Sequence, residues 1–212
     1  MEKVVDRDTL TNYLESIHGD AKCSLNHRND FELLISIVLS AQTTDESVNK
    51  VTPLLFSKYP TIDSLSKAPL RDVENIIRSI GLYKNKSQNI VNIAKTLNED
   101  GYNYIPNDRE YLMSLPGVGR KTTNVFLSEY YDVNSLGVDT HINRISKRIG
   151  IASDNDSVLI VEEKILKYLN GYSPKKFHHM MIEFGRNECK AQNPKCDECK
   201  VSKYCKKWLL EN

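Results

Sequence analysis

The 212 residues are enough to bury a real hydrophobic core, in one large domain or two small ones. With 40% hydrophobic and 27% charged residues, the composition excludes fibrous and disordered classes. A net charge of +1 argues against a uniformly basic nucleic-acid binder, yet from Arg186 onward seven Lys or Arg stand against four Asp or Glu, so the tail carries the basic bias.

Apolar residues recur at helical spacing, as in Phe31, Leu33, Leu34, Ile37 and Val38, or Ile160, Val161, Ile165, Leu166 and Leu169, while period-two alternation is nearly absent. The pattern predicts helices over residues 6–17, 30–41, 45–57, 70–79, 85–99, 108–114, 119–131, 140–149, 156–170 and 174–184, and hence an all-α protein. Pro69 suits a first helical turn, and Gly81, Gly101, Gly150 and Gly171 each follow a helical stretch where a left-handed cap is wanted. No internal repeat or low-complexity linker interrupts the chain, and the polar stretch Asp132 to Ser135 is the expected crossover between two packed lobes. No run approaches the roughly 20 apolar residues of a membrane span, and the N-terminus has no signal-like apolar segment, so a cytoplasmic location is expected.

The segment Leu115-Pro-Gly-Val-Gly-Arg-Lys-Thr122 lies between two helical stretches. Gly117 and Gly119 permit a turn tight enough for the second helix to start at once, aiming free backbone N–H groups and the positive end of the helix dipole at one point. That point suits a DNA phosphate, which sets position without reading sequence. A plain glycine turn between helices is the alternative. Lys121 falls in the first turn of the following helix, where Arg120 and Arg144 add positive charge. At neutral pH only about one lysine in 2,500 is the neutral amine, so a lysine that attacks carbon must be activated by burial, by neighbouring cations or by a base. Otherwise it is an ordinary phosphate-contacting cation. Val138-Asp139-Thr140-His141 places a carboxylate at the start of another helix, where Asp139 serves as an N-cap and is available as a base.

Four of the five cysteines, Cys189, Cys196, Cys199 and Cys205, lie within 17 residues in the pattern x6, x2, x5, which points to a metal centre rather than a disulfide scaffold. The spacing alone permits zinc, although structural zinc sites more often use two close ligand pairs. Cys23 has no partner at ligand spacing and reads as a buried small hydrophobe. His178 and His179 lack the one-turn spacing of a zinc hydrolase helix and read as packing residues.

Taken together, Leu39-Ser-Ala-Gln-Thr-Thr-Asp45, Gly81-Leu-Tyr-Lys-Asn-Lys86, the hairpin with Val138-Asp-Thr-His141, and the cysteine tail resemble endonuclease III, a family of DNA glycosylases and lyases in the helix-hairpin-helix superfamily. The resemblance runs from about Phe31 to Cys205. It implies a six-helix barrel lobe over residues 22–132 and an iron-sulfur lobe from residues 1–21 and 133–212, with the active site in the cleft between. It implies that Lys121 attacks C1′ of a flipped nucleotide, expels an oxidised pyrimidine such as thymine glycol, and holds the sugar as a Schiff base before β-elimination cuts the strand on the 3′ side. Asp139 would help deprotonate Lys121 and stabilise the cationic sugar.

The same resemblance assigns Gln42 to the space the base vacates and Leu82 to a wedge in the opposite strand, with Ser40, Lys84 and Lys86 as backbone contacts. Gly117, Gly119, Arg120, His141, Arg144, Lys190 and Lys195 complete the expected DNA-binding set. It also tips the four cysteines toward a [4Fe-4S] cluster of structural and DNA-binding role. The expected partner is double-stranded DNA with damaged bases or abasic sites, and the expected state is a monomer, nucleoid-associated in a prokaryote. Adenine glycosylases share the hairpin and tail but lack the nucleophilic lysine and add a C-terminal domain, whereas this sequence has Lys121 and runs seven residues past Cys205. The 8-oxoguanine glycosylases keep a hairpin lysine without the cluster. A catalytically inert DNA-binding helix-hairpin-helix module is the rival from another class. Thr43 and Thr123 stand where Ala is frequent in the family, small departures that bear on loop detail.

Overall fold

A computed structural model describes residues 4–211 and contains helices and no strand among them. In chain order the helices are α1 (Arg7–His18), α2 (Asp30–Ser40), α3 (Asp45–Lys58), α4 (Ile62–Ser66), α5 (Leu70–Ile76), α6 (Tyr83–Glu99), α7 (Arg109–Ser114), α8 (Arg120–Tyr131), α9 (Thr140–Arg148), α10 (Val158–Leu169), α11 (Pro174–Asn187) and α12 (Lys206–Glu211), with a single 3-10 turn over Ser202–Tyr204. All ten expected helices are present. The additions, α4, α12 and the 3-10 turn, span three to six residues each, too short for an apolar period to register. No helix of the described residues is long and apolar enough to cross a membrane.

Most helices begin where a short polar side chain can receive their first N–H groups. Asp6 accepts from Thr9 N, Asn29 from Glu32 N, Thr44 from Ser47 N, Asp108 from Glu110 N and Tyr111 N, Asp139 from Ile142 N, Ser157 from Ile160 N and Ser173 from Lys176 N. Thr61 and Ser64 form a reciprocal capping box on α4. Each such cap is worth about 1 kcal/mol. The starts of α5, α6 and α8 have no capping side chain; Pro69 stands just before α5 rather than within its first turn, and Leu82 and Gly119 precede the other two.

The chain divides at 22/23 and 132/133 into two compact units. The continuous unit, Cys23–Asp132, holds α2 to α8, the six helices expected there plus the short α4. Its centre is α2, buried at every position from Phe31 to Leu39, joined by Leu55, Leu65, Ile77, Ile90, Leu97, Leu112 and Phe126. Cys23 is half-buried at its edge rather than buried as expected.

The other unit is built from both ends of the chain. Leu10 and Leu14 of α1 are fully buried in one cluster with Ile142, Ile145, Val161, Ile165, Phe177, Met181 and Phe184. Tyr13 meets Phe184 edge-on with ring centroids 6.0 Å apart. Arg7 donates to the carbonyls of Leu169 and Asn170, and Glu15 accepts from Tyr172 and Lys176. These ties hold the α1 segment although more than 150 residues separate the partners.

Of the expected left-handed glycines, Gly101, Gly150 and Gly171 have positive φ. Gly81 does not; the left-handed residue is its neighbour Leu82. Thr123 of α8 is fully buried, and its hydroxyl has no hydrogen-bond partner. An orphaned buried hydroxyl costs on the order of 1–3 kcal/mol. Thr123→Val, which keeps the shape and removes the oxygen, is expected to stabilise the protein by about 1 kcal/mol and raise the thermal midpoint by roughly 2–4 °C. An unchanged or lowered midpoint in thermal denaturation would contradict the orphaned state.

Candidate functional site

Between α7 and α8 the chain turns through Leu115–Gly119, closed by Val118 N donating to Leu115 O at 3.1 Å. Gly117 has φ +75°, the left-handed conformation that glycine takes without strain, and a Cβ there would lie 2.8 Å from Asn89 Cγ of α6, so the Asn89 side chain would have to give way. Gly119 precedes α8 with no capping side chain and open space around it. The N–H groups of the first turn of α8 are therefore presented with the positive end of the helix dipole and unclaimed by a cap, the electrostatics of an anion site.

Gly117, Gly119, Arg120 and Lys121 are all exposed there. Of the routes to activation named for Lys121, burial is not one that the free chain supplies. Arg144 corrects one expectation, because its guanidinium turns into its own unit. There it donates to the carbonyls of Gly185 at 3.1 Å and Cys189 at 2.9 Å and faces His141 Nδ1 at 3.2 Å. Burial lowers its pKa below the usual arginine value. Arg144 is thus a half-buried brace within its own unit and not an outward-facing DNA contact.

Asp139 is half-buried at the start of α9. Oδ1 accepts from Ile142 N at 2.8 Å, the cap, which leaves Oδ2 outside that bond. His141, in the first turn of α9, is wedged against α11: a Cβ on Gly185 would stand 2.7 Å from its Nδ1 and 2.8 Å from its Cβ. Only glycine lets α9 and α11 approach this far.

In the continuous unit, Gln42 and Leu82 share an unusual backbone state. Both have left-handed φ, 55° and 59°, and both side chains are exposed, Leu82 at 57%. Left-handed conformation in a residue other than glycine costs roughly 1–2 kcal/mol and is found where surroundings impose it. A Cβ on Gly81 would be 4.0 Å from the Gln42 carbonyl, so the two loops touch.

Their expected neighbours separate by role. Lys84 is exposed, as a phosphate contact must be. Ser40 spends its hydroxyl proton on Ile37 O at 2.9 Å. Lys86 is only 4% exposed and donates to Thr43 Oγ1 at 2.5 Å, so its ammonium is turned inward and does not face DNA. Burial lowers its pKa below the usual lysine value.

Cys189, Cys196, Cys199 and Cys205 line one small apolar cavity with Ile149, Phe184 and Trp208. None is in a disulfide. No three His, Cys, Asp or Glu of the described residues are placed to hold a single metal ion, so the thiols surround a space rather than a point. Burial, and then the nearby sulfurs, push the Cys196 and Cys199 thiols up. Four mutually repelling sulfurs around an apolar space fit a cationic iron-sulfur core that neutralises them as thiolates. Arg148 adds a charged N–H donor 3.4 Å from Cys189 Sγ and binds the carbonyls of Lys190 and Ala191, and Cys205 Sγ donates to Arg148 O at 3.2 Å. Lys190 and Lys195 are exposed on this loop. His178 is buried and packs edge-on against His179, as a packing pair would.

Thr43, Asn89, Arg148 and Gly185 were not legible as site residues, since each acts through a tertiary contact. Only Thr43, next to Gln42, carried any signal.

The family model described as HhH-GPD superfamily base excision DNA repair protein matches residues 35–170, and the iron-sulfur binding domain of endonuclease III matches residues 189–205. Endonuclease III of Bacillus subtilis (strain 168) is 45% identical over 186 residues, 88% of this chain and 85% of that protein. A solved non-covalent endonuclease III-DNA complex is 45% identical with a TM-score of 0.89, covering 96% of this chain and 95% of the other. A trapped endonuclease III-DNA covalent intermediate is 46% identical with a TM-score of 0.88, covering 94% of each.

For the cysteine cavity, Cys199→Ser is expected to drop iron from about four per chain toward none and abolish the visible absorption, because a serine oxygen is a poor ligand in a thiolate set. Full iron content in this variant would remove Cys199 from the ligand set.

Proposed function

We propose that Lys121 and Asp139 carry the chemistry of this chain, which belongs to the endonuclease III family of HhH-GPD superfamily base excision DNA repair proteins. The chain is a DNA glycosylase and abasic-site lyase with a [4Fe-4S] cluster. Its DNA is gripped at the start of α8, where a backbone phosphate accepts from first-turn N–H groups that no side chain caps. Lys84, Lys190 and Lys195 extend the contact to further phosphates, and His141 contributes from the start of α9.

Lys121 Nζ, as the neutral amine, attacks C1′ of the damaged nucleotide. The glycosidic bond breaks and the base leaves with the electron pair and takes a proton; the amine then loses its extra proton, its lone pair opens the C1′–O4′ bond with O4′ taking a proton, and C1′ ends as an iminium linked to Lys121. Loss of a C2′ proton then expels the 3′ phosphate by β-elimination, and water releases the sugar. Asp139 is assigned as the base that takes the ammonium proton and as the charge that stabilises the cationic sugar, with Oδ2 available for both. The observation that carries the assignment is an exposed lysine in the first turn of an uncapped helix, which brings amine and phosphate grip together on one element. A covalent DNA intermediate trapped with a relative 46% identical to this chain is what such an attack leaves.

Gln42 is assigned to the space left by the flipped base and Leu82 to the wedge between bases of the other strand, supported by their exposure and preset left-handed backbones. The substrates are oxidised pyrimidines, thymine glycol among them, and the working form is a monomer in the cytoplasm, on the nucleoid of a prokaryote.

Borohydride reduction during turnover of an oligonucleotide with thymine glycol is expected to give a covalent adduct that disappears in Lys121→Ala. Absence of the wild-type adduct, or its persistence in the variant, overturns Lys121 as nucleophile. Asp139→Asn keeps the cap and removes the base, so turnover should fall by about 100- to 10,000-fold while DNA affinity changes little. Equal losses in both measurements would reduce Asp139 to a cap.

A further inference from the structure

We propose that the Lys86–Thr43 hydrogen bond is a strut that fixes the two DNA-inserting loops to one another, making Thr43 and Lys86 positioning residues for insertion of Gln42 and Leu82. The inference rests on the assignment of those two loops to the duplex.

The geometry is specific. Lys86 is bonded at both ends of its length: its backbone N–H donates to Leu82 O at 3.0 Å, and its ammonium donates to Thr43 Oγ1 at 2.5 Å. One residue of α6 thereby ties the left-handed Leu82 directly and the left-handed Gln42 through the next residue in the chain. Thr43 is itself held, since its N–H donates to Ser40 O at 3.0 Å. A 4%-exposed lysine is costly to bury, and an apolar side chain of similar length would fill the same space without an ammonium to satisfy. What only the lysine supplies is a directional bond across to the loop after α2. Strained backbones persist where surroundings over-determine them, and this strut constrains both. Asn89, one turn further along α6, packs on Gly117, so the same helix also touches the hairpin.

The strut should matter most where a base must be extruded from an intact stack and least where the base is already missing. The variants are Thr43→Val, which keeps the shape and leaves the ammonium without its acceptor, Thr43→Ser, which restores the hydroxyl, and Lys86→Met, which removes the buried charge as well. Misplacement of loops by about 1 Å is worth up to about 100-fold. Single-turnover excision of thymine glycol is therefore expected to fall about 10- to 100-fold in Thr43→Val and Lys86→Met, with cleavage of a preformed abasic site within about threefold of wild type and recovery in Thr43→Ser.

Insertion is read separately, without lysine chemistry, by 2-aminopurine placed opposite the lesion in the Lys121→Ala background. Its fluorescence gain on binding should shrink when Thr43→Val is added. Unchanged excision, equal losses on both substrates, or failure of Thr43→Ser to restore activity would each overturn the strut; should Thr43→Val not fold, Lys86→Met decides by the same comparison. A fluorescence gain with no trapped adduct in the wild type would instead count against the Schiff-base reading alone.

Discussion

The first turn of an α-helix leaves N–H groups that something must receive, and how each start is settled sorts this chain into scaffold and site. Ser, Thr, Asp or Asn closes the starts of α1, α2, α3, α4, α7, α9, α10 and α11. Those helices can be buried without an outside partner. The starts of α5, α6 and α8 have no such side chain, and at the latter two Leu82 and Lys121 stand exposed. Capping them would gain about 1 kcal/mol each and would fill the places where an anion is wanted. At α9 the two uses meet, since Asp139 closes the helix with one carboxylate oxygen and keeps the other.

The arginines follow the same economy of donors. Arg144 and Arg148 sit one turn apart on α9, both with their guanidiniums on carbonyls of the segment that begins the cysteine loop. The helix that starts at Asp139 is thereby fastened at its far end to the lining of the cysteine cavity. A metal core there need take no part in bond breaking to matter for activity, because it fixes the loop on which α9 rests. The Gly185 contact does the same from α11, where a single added methyl would press on His141.

Much of this was readable from residue patterns, and the failures have physical causes. Long amphipathic stretches announced themselves, but Ile62–Ser66 has barely more than one turn and no period to detect. Gly81 looked like the left-handed residue because glycine takes that conformation without strain; the chain puts the strain on Leu82, whose side chain must stay outside. Lys84 and Lys86 are indistinguishable as letters, yet residues two apart on a helix point in nearly opposite directions, so one is exposed and the other buried. Arg144 looked available to DNA because nothing local claims it; its acceptors lie more than 40 residues away. The places of Lys121 and Asp139 at helix starts were legible because these are local features, whereas Thr43 as an acceptor for Lys86 could not be read without the fold.

The unit made from both chain ends sets an order of events during synthesis. Residues 23–132 carry their packing partners within one continuous stretch, but the cluster partners of Leu10 and Leu14 do not exist until Phe177, Met181 and Phe184 are made. At roughly 5–20 residues per second, the N-terminal helix waits on the order of 10–40 s with its apolar face unmatched. The four cavity cysteines follow residues 23–132 in the chain, so their site can be completed only after that unit has been synthesised. Maturation of the cofactor site is in this way timed by the gene's own reading direction.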